Sequence, residues 1–82
     1  MPGSREKTRF IVYGFGSTHR ALAAERTLLD AGVGVTPIPA PRDFGELCGI
    51  ALRVSPPNSR TAEKCLAEAG LSPDATGDIW DV

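Results

Sequence analysis

Two periods alternate along this chain: short β-branched or aromatic runs, and apolar stripes at helical spacing. Residues 1–8 are polar, hold Pro2, Gly3 and Ser4, and show no periodicity, so they read as a frayed tail. From Arg9 to Phe15 the run Phe10-Ile11-Val12-Tyr13 predicts a buried strand. Gly14 and Gly16 flank Phe15 and loosen the strand end. Ser17 or Thr18 then caps a helix from about Thr18 to Ala31. Its apolar stripe is Ala21, Leu22, Ala24, Leu28, Leu29 and Ala31, and Gly32 ends it at the C′ position. Glu25 falls inside that stripe. A buried carboxylate needs a partner, so either Glu25 meets an Arg at the sheet edge or the stripe is narrower than drawn.

Val33 to Pro39 alternates apolar with small or polar residues, which suits a second strand. Pro37 and Pro39 cannot donate to a ladder, which confines that strand to an edge. A loop over 39–46 follows, and a third strand is expected from about Cys48 to Val54. Ser55-Pro56-Pro57-Asn58 is a turn, and Ser59 is expected to cap a second helix to Ala69, stopped by Gly70. Ala62, Cys65, Leu66 and Ala69 share one face of it, which makes Cys65 a core residue. Residues 77–82 form a short closing strand. The order β-α-β-β-α-β predicts an α+β, ferredoxin-like sandwich over residues 9–82: a four-stranded antiparallel sheet with two helices on one face. Right-handed crossovers place the first and third strands in the middle and the other two at the edges.

Composition narrows the function. At 82 residues the chain is one small domain, with too little buried volume for a deep private cleft. A carrier, a binding module or a subunit fits better than a turnover enzyme. With 41% hydrophobic and 23% charged residues it is an ordinary globular chain. No apolar run approaches the ~20 residues of a membrane span. The first residues lack the apolar core of a signal peptide, so the expected location is cytoplasmic, without membrane contact. The first nine residues balance at +2 and the remainder at −3, with Asp74, Asp78 and Asp81 crowded near the end. Lys64 is the only lysine beyond the tail, a distribution that argues against nucleic acid as a partner.

Two cysteines, Cys48 and Cys65, make no disulfide scaffold, and with His19 as the only histidine no metal centre or bound cofactor is expected. Gly14-x-Gly16 lacks the third glycine of a dinucleotide fingerprint, since position 19 is His, and reads as a tight turn. Cys48 is the candidate nucleophile. It stands between a Pro-rich loop and a strand, and Gly49 leaves backbone room beside its sulfur. In the predicted topology the third strand starts beside the end of the first, which places Cys48 near the helix N-terminus at Ser17-Thr18-His19. Unpaired amides and the helix dipole favour an anion there, and Arg42 in the same loop adds positive charge. Such surroundings lower a thiol pKa. His19 points away from the apolar stripe and is the weaker helper.

These residues resemble the small bacterial selenium/sulfur carrier-like family. The resemblance covers about residues 9–82. It runs through Phe15-Gly16-Ser17-Thr18-His19-Arg20-Ala21-Leu22, Ala24-Glu25-Arg26-x-Leu28-Leu29, Ile38-Pro39-x-Pro41-Arg42 and Cys48-Gly49-Ile50-Ala51-Leu52-Arg53. It implies that Cys48 is the carrier residue, with sulfur or selenium donor and acceptor proteins as partners. Cys65 has no counterpart in the family pattern. The chain ends Asp81-Val82, which excludes a C-terminal Gly-Gly thiocarboxylate carrier and leaves a persulfide or perselenide on a side chain. The rival reading is a ferredoxin-like metabolite-sensing or interaction module without chemistry, dimerising through an edge strand.

Overall fold

The computed structural model describes residues 8–45 and 49–81. Four strands, β1 (Thr8–Gly14), β2 (Thr36–Pro39), β3 (Ile50–Val54) and β4 (Ala75–Asp81), alternate with two helices, α1 (Thr18–Asp30) and α2 (Ser59–Glu68). The sheet is antiparallel throughout, in the order β2-β3-β1-β4. The fold is therefore the expected α+β, ferredoxin-like arrangement. β1 and β3 are central, and Pro37 and Pro39 lie on an edge where their missing N–H groups break no inner ladder.

Strand parity divides the sheet into two faces. Ile11, Tyr13 and Phe15 on β1 and its extension, with Leu52 and Val54 on β3, meet Ala21, Ala24 and Leu28 of α1 and Ala62 and Leu66 of α2 in one core. Each fully buried Leu or Phe there contributes roughly 1.5–3 kcal/mol. Phe10, Val12, Ala51 and Arg53 face the other way, and the Arg53 guanidinium lies 4.1 Å from the Phe10 ring centroid. Val12 and Ala51 are nevertheless fully buried. Part of the cover comes from the β2–β3 loop, which folds back over this face through a 3₁₀ turn at Arg42–Phe44. Phe44 packs on Gly77 of β4 so closely that a Cβ there would sit 3.2 Å from the ring.

Both helices end identically. Gly32 and Gly70 take positive φ, and the next residue's amide returns to the carbonyl five positions back, Val33 to Leu28 and Leu71 to Leu66. This is the Schellman closure, with an apolar contact between the bonded residues. It draws Val33 out of the expected second strand and into the core, so β2 begins only at Thr36.

Other expectations change as well. Only Ala21, Ala24 and Leu28 of α1 are buried, while Leu22 and Leu29 are about half exposed, at 50% and 53%. The apolar stripe is the narrower one, because α1 rests on the sheet with α2 beside it and offers the core a single ridge. Glu25 is accordingly only half-buried. Ser59 is not the cap of α2. A 3₁₀ turn at Pro56–Asn58 runs straight into the helix, Asn58 holds the cap position, and the Ser59 hydroxyl donates back to the Pro56 carbonyl at 2.9 Å. The prolines supply helix-ready φ values and have no N–H to satisfy. β4 starts at Ala75, two residues earlier than expected, and pairs with β1 along its whole length.

Candidate functional site

The β1–β3 register ends on Gly14↔Ala51. Residue 49 therefore lies just beyond the last pair, at the end of the sheet where the chain leaves β1 for α1. Gly49 is exposed, and its carbonyl accepts from the Ala40 amide at 3.0 Å, closing the base of the β2–β3 loop. Cys48 lies outside the described residues. The start of β3 and the end of β1 thus reach the same end of the sheet.

Ser17 is the N-cap of α1, and its Oγ accepts from the Arg20 amide at 3.2 Å. Ala21 N–H closes the first helical bond to Ser17 O. The amides of Thr18 and His19 have no hydrogen-bond partner among the described residues, which leaves two donors at the positive end of the helix dipole. Both side chains are exposed, as the helical wheel required of His19.

The group that organises this corner, Asp74, is not among the site residues the sequence predicts. Asp74, in the loop before β4, donates its amide to Gly14 O at 2.9 Å. Its Oδ2 accepts from Gly16 N at 2.6 Å and from Arg20 Nη1 at 3.4 Å. Arg20 Nη2 also donates to Ser72 O at 3.0 Å. Gly16 eases this approach, since a Cβ would stand 3.3 Å from the carboxylate and Asp74 would have to give by a few tenths of an ångström. The Gly14-x-Gly16 turn thus serves a carboxylate latch. The signal available beforehand was Arg20 immediately after Ser17-Thr18-His19, together with the acidic residue ahead of the closing strand.

Arg42 is exposed and sits in the 3₁₀ turn on the open face of the sheet, whereas α1 begins on the other face. The guanidinium at the α1 start belongs to Arg20. Cys65, the one cysteine described, is a free thiol, partly buried and packed against the core. Among the described residues no group of His, Cys, Asp and Glu could hold a metal ion, and no helix is long and apolar enough to cross a membrane.

The fold and this corner define a small ferredoxin-like α+β module, with exposed helix-start amides beside the strand that follows Cys48. The family described as "Putative Se/S carrier protein-like" matches residues 11–76, most of the chain, and the protein belongs to it. No curated protein and no solved structure matches the chain.

Proposed function

We propose that this protein holds sulfur or selenium as a persulfide or perselenide on Cys48 and passes it to a partner protein. The observation that carries the reading is the family match, which spans residue 48. The free Thr18 and His19 amides at the sheet end reached by Gly49 support it, because they suit an anionic chalcogen. In the loading step the Cys48 thiolate attacks the outer sulfur of a donor persulfide. The donor S–S bond breaks, a new S–S bond forms on Cys48, and the donor leaves as a thiolate, so no outside oxidant is needed. With selenium the outer atom is Se and the electron count is the same. An acceptor thiolate repeats the attack and releases Cys48. Gly49 leaves room beside the sulfur, Ser17 fixes the helix start, and Arg20 rather than Arg42 is the guanidinium at that corner.

Intact-mass measurement after incubation with a persulfide donor tests this. Wild type and Cys65→Ser gain one chalcogen, and Cys48→Ser gains none. Normal loading of Cys48→Ser refutes the carrier reading and leaves an interaction module without chemistry.

A further inference from the structure

Helix α1 carries a second apolar strip that the core does not use. Leu22 and Leu29 are exposed at 50% and 53%. They stand seven positions apart, so at 3.6 residues per turn they point the same way, within roughly 20°. The buried residues Ala21, Ala24 and Leu28 form a different ridge. On the opposite flank Arg20 reaches the Ser72 carbonyl and the Asp74 carboxylate. Leu29 instead borders a recess of about 340 Å³ together with Val35 and Thr36. The strip therefore lies on the β2 side of α1, uncovered among the described residues.

Two charges frame it. Along the axis Glu25 and Arg26 lie between the leucines, roughly 50° to either side of their common direction. Burial agrees with that placement: Glu25, on the core side, is half-buried, and Arg26, on the solvent side, is exposed. Neither side chain has an ion-pair or hydrogen-bond partner among the described residues.

The order Leu22-x-x-Glu25-Arg26-x-x-Leu29 is complementary to itself. Two copies of α1 side by side and parallel about a two-fold axis bring Leu22 to its own counterpart and Leu29 to its own. Glu25 of each copy then faces Arg26 of the other, on both sides of the seam. An antiparallel pair sets Glu25 against Glu25 and Arg26 against Arg26. We propose that the occupant of this strip is a second copy of the chain, paired through α1 in the parallel sense. The charges choose partner and direction more than they add affinity. One heptad supplies only two leucine layers, well short of the ~1,200 Å² at which stable interfaces begin. Association therefore needs concentrated protein. Its consequence is positional: both α1 N-termini, with their free Thr18 and His19 amides, open at one end of the pair. The pairing is independent of the carrier reading and makes no use of Cys48.

Sedimentation equilibrium on the full chain, up to millimolar concentration, tests this. Wild type should show a reversible monomer–dimer equilibrium, and dilution should shift the amide resonances of residues 22–29. Leu22→Ser and Leu29→Ser should each weaken the dimer several-fold. Glu25→Arg and Arg26→Glu should each lose self-association, and an equimolar mixture of the two should recover it. Glu25→Gln removes an attraction from the parallel pair and should weaken it, whereas it would relieve a repulsion in an antiparallel one. All of these positions lie outside the buried core, and circular dichroism checks that each variant is folded. A wild-type chain that stays monomeric, a dimer that survives either charge reversal, a mixture that fails to recover it, a stronger dimer in Glu25→Gln, or resonances that shift on β4 instead of α1 overturns the proposal. Cys48→Ser should dimerise like wild type. Dimerisation without chalcogen loading sinks only the carrier reading, and loading by a strictly monomeric chain sinks only this one.

Discussion

Strong alkali should unfold this protein through one phenol. Tyr13 is the only tyrosine in the chain and is fully buried under α2. Its hydroxyl donates to Glu63 Oε2 at 2.9 Å and lies 3.3 Å from the Ser59 carbonyl. Burial pushes its pKa well above the ordinary value of 10.0, and the hydrogen bond to Glu63 and that carboxylate's charge add to the shift. The folded state therefore favours the neutral phenol. Its stabilising contribution is complete below the unfolded pKa near 10 and is lost as pH rises from there toward the raised folded value. Within that window each pH unit removes about 1.4 kcal/mol. Small domains hold roughly 5 kcal/mol in total, so a few such units remove most of the margin. The tyrosinate absorption band should appear together with loss of the far-ultraviolet circular dichroism signal, not before it. Tyr13→Phe should cost about 1 kcal/mol near neutral pH, because one charge-assisted bond at a partly wet site is lost. It should also flatten the alkaline decline in the urea midpoint. A tyrosinate band emerging near pH 10 (the free-phenol value) in a still-folded chain would refute the reasoning, as would an unchanged alkaline slope in Tyr13→Phe.

Asp74→Ala should lower stability by about 1 kcal/mol, since it strips the Gly16 amide and Arg20 of their shared acceptor at a half-exposed site; urea unfolding measures it. Gly77→Ala should change stability by less than about 1 kcal/mol, because the strand gain of alanine opposes crowding of Phe44. The same change should alter the alkylation rate of Cys48, at the far end of the loop that Phe44 anchors, and leave that of Cys65 alone. In the wild type, peptide mapping after native-state alkylation should find Cys48 labelled ahead of Cys65, whose sulfur is tied into the core cluster.

The strands, the helices and their order were legible because each element carries its own local mark. Phe10-Ile11-Val12-Tyr13 has no other use than a buried strand, the paired prolines can only sit on an edge, and Gly32 and Gly70 stand where a left-handed cap is required. What was not legible is set by contacts distant in sequence. Leu22 and Leu29 look like core until the width of the helix layer is known. Ser59 looks like a cap until the prolines before it take up a 3₁₀ turn. The Asp74 latch joins residues 58 positions apart, and no local pattern announces such a bond. At the candidate site the arrival of the β3 start beside the end of β1 followed from topology alone. The return of the β2–β3 loop over the open face did not, because it depends on one aromatic ring finding one glycine.

Thr8 pairs with Asp81, so β1, made first among the strands, waits for β4, made last. The central strand therefore has one flank empty until residues 75–81 dock. Both helices, β2 and β3 all precede β4 in the chain, so the sheet they rest on stays incomplete until it arrives. Such non-local closure slows folding and exposes an adhesive edge meanwhile. A chain cut before residue 75 would therefore leave β1 with an open edge. The interval before β4 docks is when this fold is most exposed to aggregation.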